Sequence, residues 1–591
     1  MALPQTKTNS NVLGAQRVRL WYGALLLIIT IFGVRLFYVQ IIRYSHYKEA
    51  ALSDQLKHYE IPANRGVIRA RDGDQLVPIV LNQKLYTLYA DPVYIKNPDT
   101  VAAKVSAVIG GNASKMATAL RSPNTRYVIL GKKLTPYQNQ RLLALKYPGL
   151  GTQGQDFRTY PQGDLAAQIL GFVDDSGNGQ YGLEQALNGK LRGTPGQLRA
   201  ITDIQGVPLA ASRDNVQVAA KSGNDLVLTL DLAMQQQLQT TLQKSVVSTK
   251  ASGASALIMD PTNGAIKAMA NFPSYDPAKY NEVENTKLFS NAAVTEPIEV
   301  GSIMKILTTA AALDKGVISS GTTYYDPSFW LVNGFRITNI EEDGGSGTRS
   351  VADILNLSLN TGATWELMQL GGGTINDRAR FAWHDYMVNH YLFGKATGIE
   401  QGYEATGYVP DSTENGAGIN LTYANTTFGQ AMTATPIQMA GALSAALNGG
   451  TYYQPHIIDQ MIDSNGLVSK TIPKILVRNV VAPKVSQSLI PLLQNVVNKH
   501  NIVPAFDQSR YIVGGKTGTA QISKPGGGYY DDKFNGTYMG FVGGDAVQYV
   551  IVVFVNKPTN GGYAGTAAAQ PIFASISHTL IDESLVTPKT R

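Results

Sequence analysis

The chain has no cysteine among its 591 residues. Disulfides, thiolate catalysis and cysteine-ligated metal are excluded together. Histidine is scarce: the seven residues at 46, 58, 384, 390, 456, 500 and 578 show no HExxH or other metal spacing. No G-x-S-x-G elbow is present, so a Ser-His-Asp hydrolase has no support. No cofactor and no metal are expected. The net charge is +7, but no long basic run carries it. That excess reads as a mildly basic surface near an anionic membrane or wall, and no nucleic-acid partner is expected. There is no internal repeat and no low-complexity tract.

One long apolar run is present. Leu20 to Val34 is apolar apart from Gly23, Thr30 and Gly33, and Leu36 to Val39 continue it past Arg35. Twenty helical residues span about 30 Å, the thickness of a bilayer core. Trp21 and Tyr38 lie near its two ends, as interfacial aromatics do. No small-residue cleavage pattern follows, so residues 20–42 are expected to be an uncleaved anchor. The rival is a long buried core helix. Lys7, Arg17 and Arg19 precede the run, whereas Arg43 and Lys48 follow it. The charge bias therefore only weakly puts residues 1–19 in the cytoplasm.

At 44% hydrophobic and 16% charged residues the rest is globular, and its length asks for two or three domains. Residues 46–222 mix turns with a strand at 85–90 and a mostly helical stretch at 100–146; no chemistry shows there, and a docking platform is expected. A polar joint at 221–225 leads to a strand at 226–230, a helix at 231–247, and a hairpin of strands 254–259 and 265–270. Strands recur at 511–513, 537–542 and 549–555. Helices, including 351–370 and 436–447, fill the interval. Residues 250–585 are thus expected to be an α+β domain with one mainly antiparallel sheet.

Three short elements carry possible chemistry. In Glu299-Val300-Gly301-Ser302-Ile303-Met304-Lys305, Ser302 and Lys305 are three apart at the start of an apolar helix, and so share one face. Asp314-Lys315-Gly316 supplies a helix stop. The spacing alone is weak, since Ser45 and Lys48 repeat it. Ser358-Leu359-Asn360 lies in the helix-rich stretch that follows. Gly514-Gly515-Lys516-Thr517-Gly518-Thr519 occurs once, and its glycines suit a strand edge that a substrate backbone approaches closely. A phosphate loop is the rival for Gly-Lys-Thr, but the leading glycine and the following helix are both missing.

In this order the three elements resemble the class B penicillin-binding proteins, membrane-anchored D,D-transpeptidases of peptidoglycan synthesis. Arg65-Gly66-Val67-Ile68, Gly182-Leu183-Glu184, Asp260-Pro261, Thr397-Gly398-Ile399, Phe428-Gly429-Gln430 and Asn448-Gly449-Gly450 extend the likeness along the chain. Val300 stands where the family usually has proline, and Ala431 where it usually has glycine. The resemblance implies a penicillin-binding/β-lactamase-like transpeptidase domain, an antiparallel sheet with helices on both sides, on an elongated mixed α/β pedestal behind one transmembrane helix. It implies that Ser302 is the nucleophile, Lys305 the base, Ser358 a proton relay and Asn360 a substrate-amide ligand. Lys516, Thr517, Gly518 and Thr519 would hold the terminal carboxylate of a D-Ala-D-Ala stem. Backbone amides of Ser302 and Thr519 would form the oxyanion hole. Two ammonium groups about 4 Å apart repel by about 4 kcal/mol at an effective dielectric of about 20. Burial depresses a lysine pKa and so does a nearby cation, so Lys305 is expected to be the neutral base while Lys516 stays charged beside it. No class A Glu-x-x-x-Asn motif follows Ser358, which favours a transpeptidase over a β-lactamase or β-lactam sensor. Tyr89-Ala90-Asp91-Pro92 resembles the septal subtype; the elongation type and a non-catalytic division scaffold are the alternatives. Expected partners are peptidoglycan stem peptides, β-lactams, a glycan-polymerising membrane enzyme and other division proteins.

Overall fold

The computed structural model describes residues 10–48, 56–122, 125–201, 216–339, 345–414, 416–524, 526–559 and 563–590. The chain forms two compact units, one of residues 1–63 with 194–221, the other of residues 64–193 with 222–591.

In the first unit, helix α1 (Ser10–Phe37) continues into a π-helical turn at Tyr38–Ile42. Arg17–Ile42 has a mean hydropathy of 2.3 over its most apolar window, and the protein buries none of it. That sets aside the buried-core reading and leaves a helix long and apolar enough to span a bilayer. Arg35 and Arg43 both lie over the Tyr38 ring, and Arg43 Nε donates to the Tyr38 hydroxyl at 3.0 Å. Ser45 and Lys48 are exposed, as a solvated pair should be. The same unit holds a three-stranded antiparallel sheet of Leu56–Ile61, Gly196–Ile201 and Val216–Val218.

The second unit holds a seven-stranded sheet. Its path runs Val468–Lys470, Ile458–Ile462, Asp225–Asp231, Ile68–Asp72, Gln75–Ala90, Val128–Leu134, and Leu150–Thr159 also pairs with the long Gln75–Ala90 strand. Asp225–Asp231 lies parallel to Ile68–Asp72 and antiparallel to Ile458–Ile462, so sequence-distant segments share one ladder. Between residues 100 and 146 the expected helices form at Pro98–Ile109, Ala113–Leu120 and Pro136–Leu143, but Val128–Leu134 is a strand. Only Leu130 and Leu134 of it are buried, and its Gly-Lys-Lys centre hides the alternation. Glu184, fully buried, is gripped by two cations. Arg65 Nε donates to Oε2 at 2.7 Å and Arg158 Nε to Oε1 at 2.9 Å. This joins Arg65-Gly66 to Gly182-Leu183-Glu184.

The second sheet is the one expected from the strand pattern. Strands β1 (Gly253–Met259), β2 (Ile266–Phe272), β3 (Ile512–Ser523), β4 (Tyr529–Gly543) and β5 (Val547–Asn556) lie in the order β2-β1-β5-β4-β3, antiparallel throughout. Every residue of β1 is buried, as a central strand covered on both faces must be. Helix α2 (Leu232–Thr249) packs on β2 and β1. The other helices that frame the site are α3 (Met304–Asp314), α4 (Val351–Asn356), α5 (Asn360–Leu370), α6 (Pro436–Leu447), α7 (Pro483–Lys499) and α8 (Gln570–Asp582). Helix α8 packs beside α2, while α6 lies on β5 and α7 on β3. The buried Gln235 of α2 pairs its amide with both backbone groups of Met269 at 2.9 Å, satisfying the edge strand β2. At the other edge, β3 carries Lys516.

Removing one member of a buried charge set leaves the others uncompensated, at a cost of about 3–5 kcal/mol. Glu184→Ala is expected to lower the thermal midpoint sharply. An unchanged midpoint in differential scanning calorimetry would refute the ion set as a structural tie.

Candidate active site

A short 3₁₀ turn, Gly301–Ile303, leads into α3, whose residues Met304 to Leu313 are all buried. The turn is seated by backbone contacts. Gly301 has φ +65° and donates its N–H to Gly429 O at 3.0 Å. A Cβ on Gly301 would lie 2.8 Å from Thr519 O; one on Gly429, at φ +79°, would lie 2.2 Å from Gly301 O. A Cβ on Gly518 would lie 3.0 Å from Val300 O, and one on Gly565 2.3 Å from Gly518 O. The Thr537 hydroxyl donates to Val300 O at 2.8 Å. At Gly518 an added Cβ would also lie 2.3 Å from the Thr537 hydroxyl, so the chain's own packing asks for glycine there. Val300 keeps φ at −85°, and these contacts hold the loop without the usual proline. Ala431 sits at φ +57°, a region that favours glycine.

Ser358 reaches the site through a break in the expected helix. Residues 351–370 form α4 and α5, separated at Leu357–Leu359, with Ser358 at φ +59°. Such a conformation costs a non-glycine residue free energy and clusters at functional sites. Leu359 is fully buried and donates its N–H to Ile354 O at 3.0 Å, which holds the break closed.

The Lys305 amine sits at the centre, fully buried. Its Nζ lies 2.8 Å from Ser302 Oγ, 2.6 Å from Ser358 O, 3.1 Å from Ser358 Oγ and 2.8 Å from Asn360 Oδ1. The Asn360 amide is oriented at both ends, since its Nδ2 donates to Thr338 O at 3.0 Å. Ser358 O and Asn360 Oδ1 can only accept. When the amine is neutral, these two acceptors can take its two N–H groups and leave its lone pair for a serine hydroxyl. Burial pushes the Lys305 amine well below the usual lysine range; the Lys516 charge lowers it further, while Glu366 opposes them. Burial is the larger cause and the Lys516 charge the second.

Lys516 is buried too, and its Nζ donates to Thr517 O at 3.2 Å. Burial brings it down to about 7. Strand alternation puts Lys516 and Gly518 on one face of β3, and Thr517 and Thr519, both half-buried, on the other. The Thr519 hydroxyl accepts from Gly565 N at 3.0 Å. Among the described residues, Thr517 and Thr519 form no hydrogen bond with Ser302, Lys305, Ser358 or Asn360. Sequence reasoning missed Glu299, half-buried at the entry loop. Its Oε1 accepts from Tyr529 OH and Ala431 N, both at 3.0 Å, and burial raises its carboxyl. It also missed Glu366 and Thr309, although a lone carboxylate in the otherwise uncharged helix 360–370 was a readable signal. No cluster of three or more His, Asp or Glu able to hold a metal occurs among the described residues.

Residues 254–578 match the family described as the penicillin binding protein transpeptidase domain, and residues 60–228 the penicillin-binding protein dimerisation domain. The chain is 29% identical to stage V sporulation protein D of Bacillus subtilis, covering 95% of this chain and 86% of that protein. It is 24% identical to peptidoglycan D,D-transpeptidase FtsI of Escherichia coli, covering 95% and 90%. A crystal structure of penicillin binding protein 3 from Mycobacterium tuberculosis, complexed with aztreonam, shares the fold. Its TM-score is 0.67 at 24% identity, covering 90% of this chain and 98% of that one.

Asn360→Asp puts a carboxylate against the Lys305 amine and favours the ammonium. Titration of Lys305, followed by side-chain NMR, is expected to move upward by about 1–3 units. No movement would mean that the Asn360 contact is absent in solution.

Proposed function

The chain belongs to the penicillin-binding protein transpeptidases, and from that premise we propose a serine D,D-transpeptidase that cross-links peptidoglycan stem peptides through an acyl-enzyme on Ser302. The observation that carries this reading is the fully buried Lys305 amine, its Nζ 2.8 Å from the Ser302 hydroxyl. A serine hydroxyl is a poor nucleophile until a base takes its proton, and a neutral amine in contact with it is such a base. Lys305 takes the proton as Ser302 Oγ attacks the carbonyl carbon of the D-Ala-D-Ala bond. The backbone N–H groups of Ser302 and Thr519 receive the developing oxyanion. Ser358, 3.1 Å from the same amine, returns the proton to the departing amine of the terminal D-alanine. An amine from a neighbouring stem then attacks the ester and frees Ser302.

Lys516, with Thr517, Gly518 and Thr519, holds the terminal carboxylate. Since burial leaves Lys516 near 7, an arriving carboxylate also favours its charged form. Binding and protonation of Lys516 are thereby linked. Asn360 spends its side chain on Lys305 and Thr338 in the free enzyme, so its first role is to aim the base; its contact with the substrate amide follows on binding. A β-lactam presents a reactive carbonyl and a carboxylate to the same groups and leaves an acyl-Ser302.

The apolar helix Arg17–Ile42 would anchor the enzyme as a single-pass protein of the cytoplasmic membrane, with the catalytic region outside. Similarity to the FtsI transpeptidase along 95% of the chain supports work at the septum, beside a glycan-polymerising membrane partner and other division proteins.

Labelling with a fluorescent penicillin tests the assignment. A long-lived adduct is expected on the native chain, and none on Ser302→Ala. Lys305→Ala should slow labelling by about 100- to 10,000-fold, the usual worth of a positioned general base. Labelling that survives Ser302→Ala would overturn the nucleophile, undiminished rates in Lys305→Ala would overturn the base, and rapid turnover of the adduct would point to a β-lactamase.

A further inference from the structure

Glu366 has no part in the chemistry above, yet it is fully buried next to it. It lies on α5, and its Oε1 accepts a hydrogen bond of 2.8 Å from the Thr309 hydroxyl of α3. Thr309 is four residues beyond Lys305, on the same face of that helix. The other carboxyl oxygen, Oε2, has no hydrogen-bond partner among the described residues. An idle buried oxygen is costly, and a tie between two helices does not need it.

The electrostatics run in both directions. The Glu366 carboxylate raises the Lys305 amine, and Lys305 in turn pulls down the Glu366 carboxyl, which burial lifts to about 8. The elements packed around α5 carry Tyr324 and Asp326 ahead of it, Arg336 in the strand Phe335–Thr338, Asp353 on α4, and Asp377, Arg378, Arg380, His384 and Asp385 in the helix Asp377–Asp385. Of these, Tyr324 feels the Glu366 charge. Lys305 is the charged group that acts on Glu366 among the described residues.

We propose that Glu366 is a positioning residue for acylation, a buried counter-charge that strengthens Lys305 as a base and stabilises the ammonium it becomes. When the Ser302 O–H bond breaks, the proton passes to the Lys305 lone pair, and the oxygen electron pair forms the ester bond with the carbonyl carbon. The new positive charge appears on a fully buried atom, and Lys516, also buried, already acts on it. An ionised Glu366 lowers the cost of that charge. The inference rests on the reading of Ser302 as nucleophile and Lys305 as base.

The test is the second-order rate of fluorescent-penicillin labelling, measured from acid to alkaline pH on the full chain and on Glu366→Gln. Glutamine still accepts from Thr309 but carries no charge. The ratio of native to variant rate is expected to rise about three- to tenfold as pH passes about 8, where Glu366 ionises. Taking the ratio cancels the titration of Lys516, which both proteins share. A ratio that stays flat across the range means a structural tie only and overturns the proposal. If Glu366→Gln does not fold, Thr309→Val replaces it. Loss of the hydroxyl removes the hydrogen bond that holds the carboxyl down, so the alkaline rise should move to higher pH; a rise that does not move overturns the proposal. Ser302→Ala separates the two readings: lost labelling with a flat ratio sinks Glu366 alone, whereas labelling that persists sinks the site and this inference with it.

Discussion

A lysine amine kept out of water is the condition on which the site depends. Water would solvate the ammonium form and leave the amine protonated at neutral pH, useless as a base. Helix α3 is therefore buried along its length, and burial is the largest influence on Lys305. Desolvation alone would leave the amine without direction. Ser358 O and Asn360 Oδ1 give it direction, since both can only accept and so fix where its hydrogens point. The same burial acts on Lys516 and lowers its amine to about 7.

Such an arrangement needs segments far apart in sequence to meet without gaps. The nucleophile turn, the break between α4 and α5, the Gly429 turn and strand β3 converge, and three of the four meet through backbone atoms. Two residues there, Ser358 and Ala431, adopt left-handed conformations that their side chains disfavour. The packing around them, with Leu359 fully buried, holds that strain in place.

Much of this was readable in the chain. The five strands of the antiparallel sheet follow from short β-rich runs with turns between, and α3 from a mostly apolar stretch ending at Asp314-Lys315-Gly316. The Lys305–Ser302 contact follows from helical spacing. What escaped has physical reasons. The break at Ser358 is set by tertiary contacts, because nothing in Leu357-Ser358-Leu359 opposes a helix locally. The strand Val128–Leu134 buries too little to show its period. The ladder joining Asp225–Asp231 to Ile68–Asp72 spans too much sequence for local pattern to reveal. The burial of Lys516 belongs to the fold and not to the motif, so it could not be read from the chain. Glu366 looked like an ordinary helix carboxylate for the same reason.

The seam of glycines has a consequence for how the protein can change over generations. At Gly301, Gly429 and Gly565 the atom that an added methyl would meet is a carbonyl oxygen, which cannot rotate aside as a side chain does. At Gly518 the methyl would meet the Thr537 hydroxyl and then, again, backbone. An inhibitor that exerts selection on this enzyme therefore faces a centre whose smallest residues are fixed by geometry. Adaptive variation is channelled to the rim, to positions such as Glu299, Tyr529 and Ala431, where the loop over the nucleophile can be retuned while the seam stays as it is.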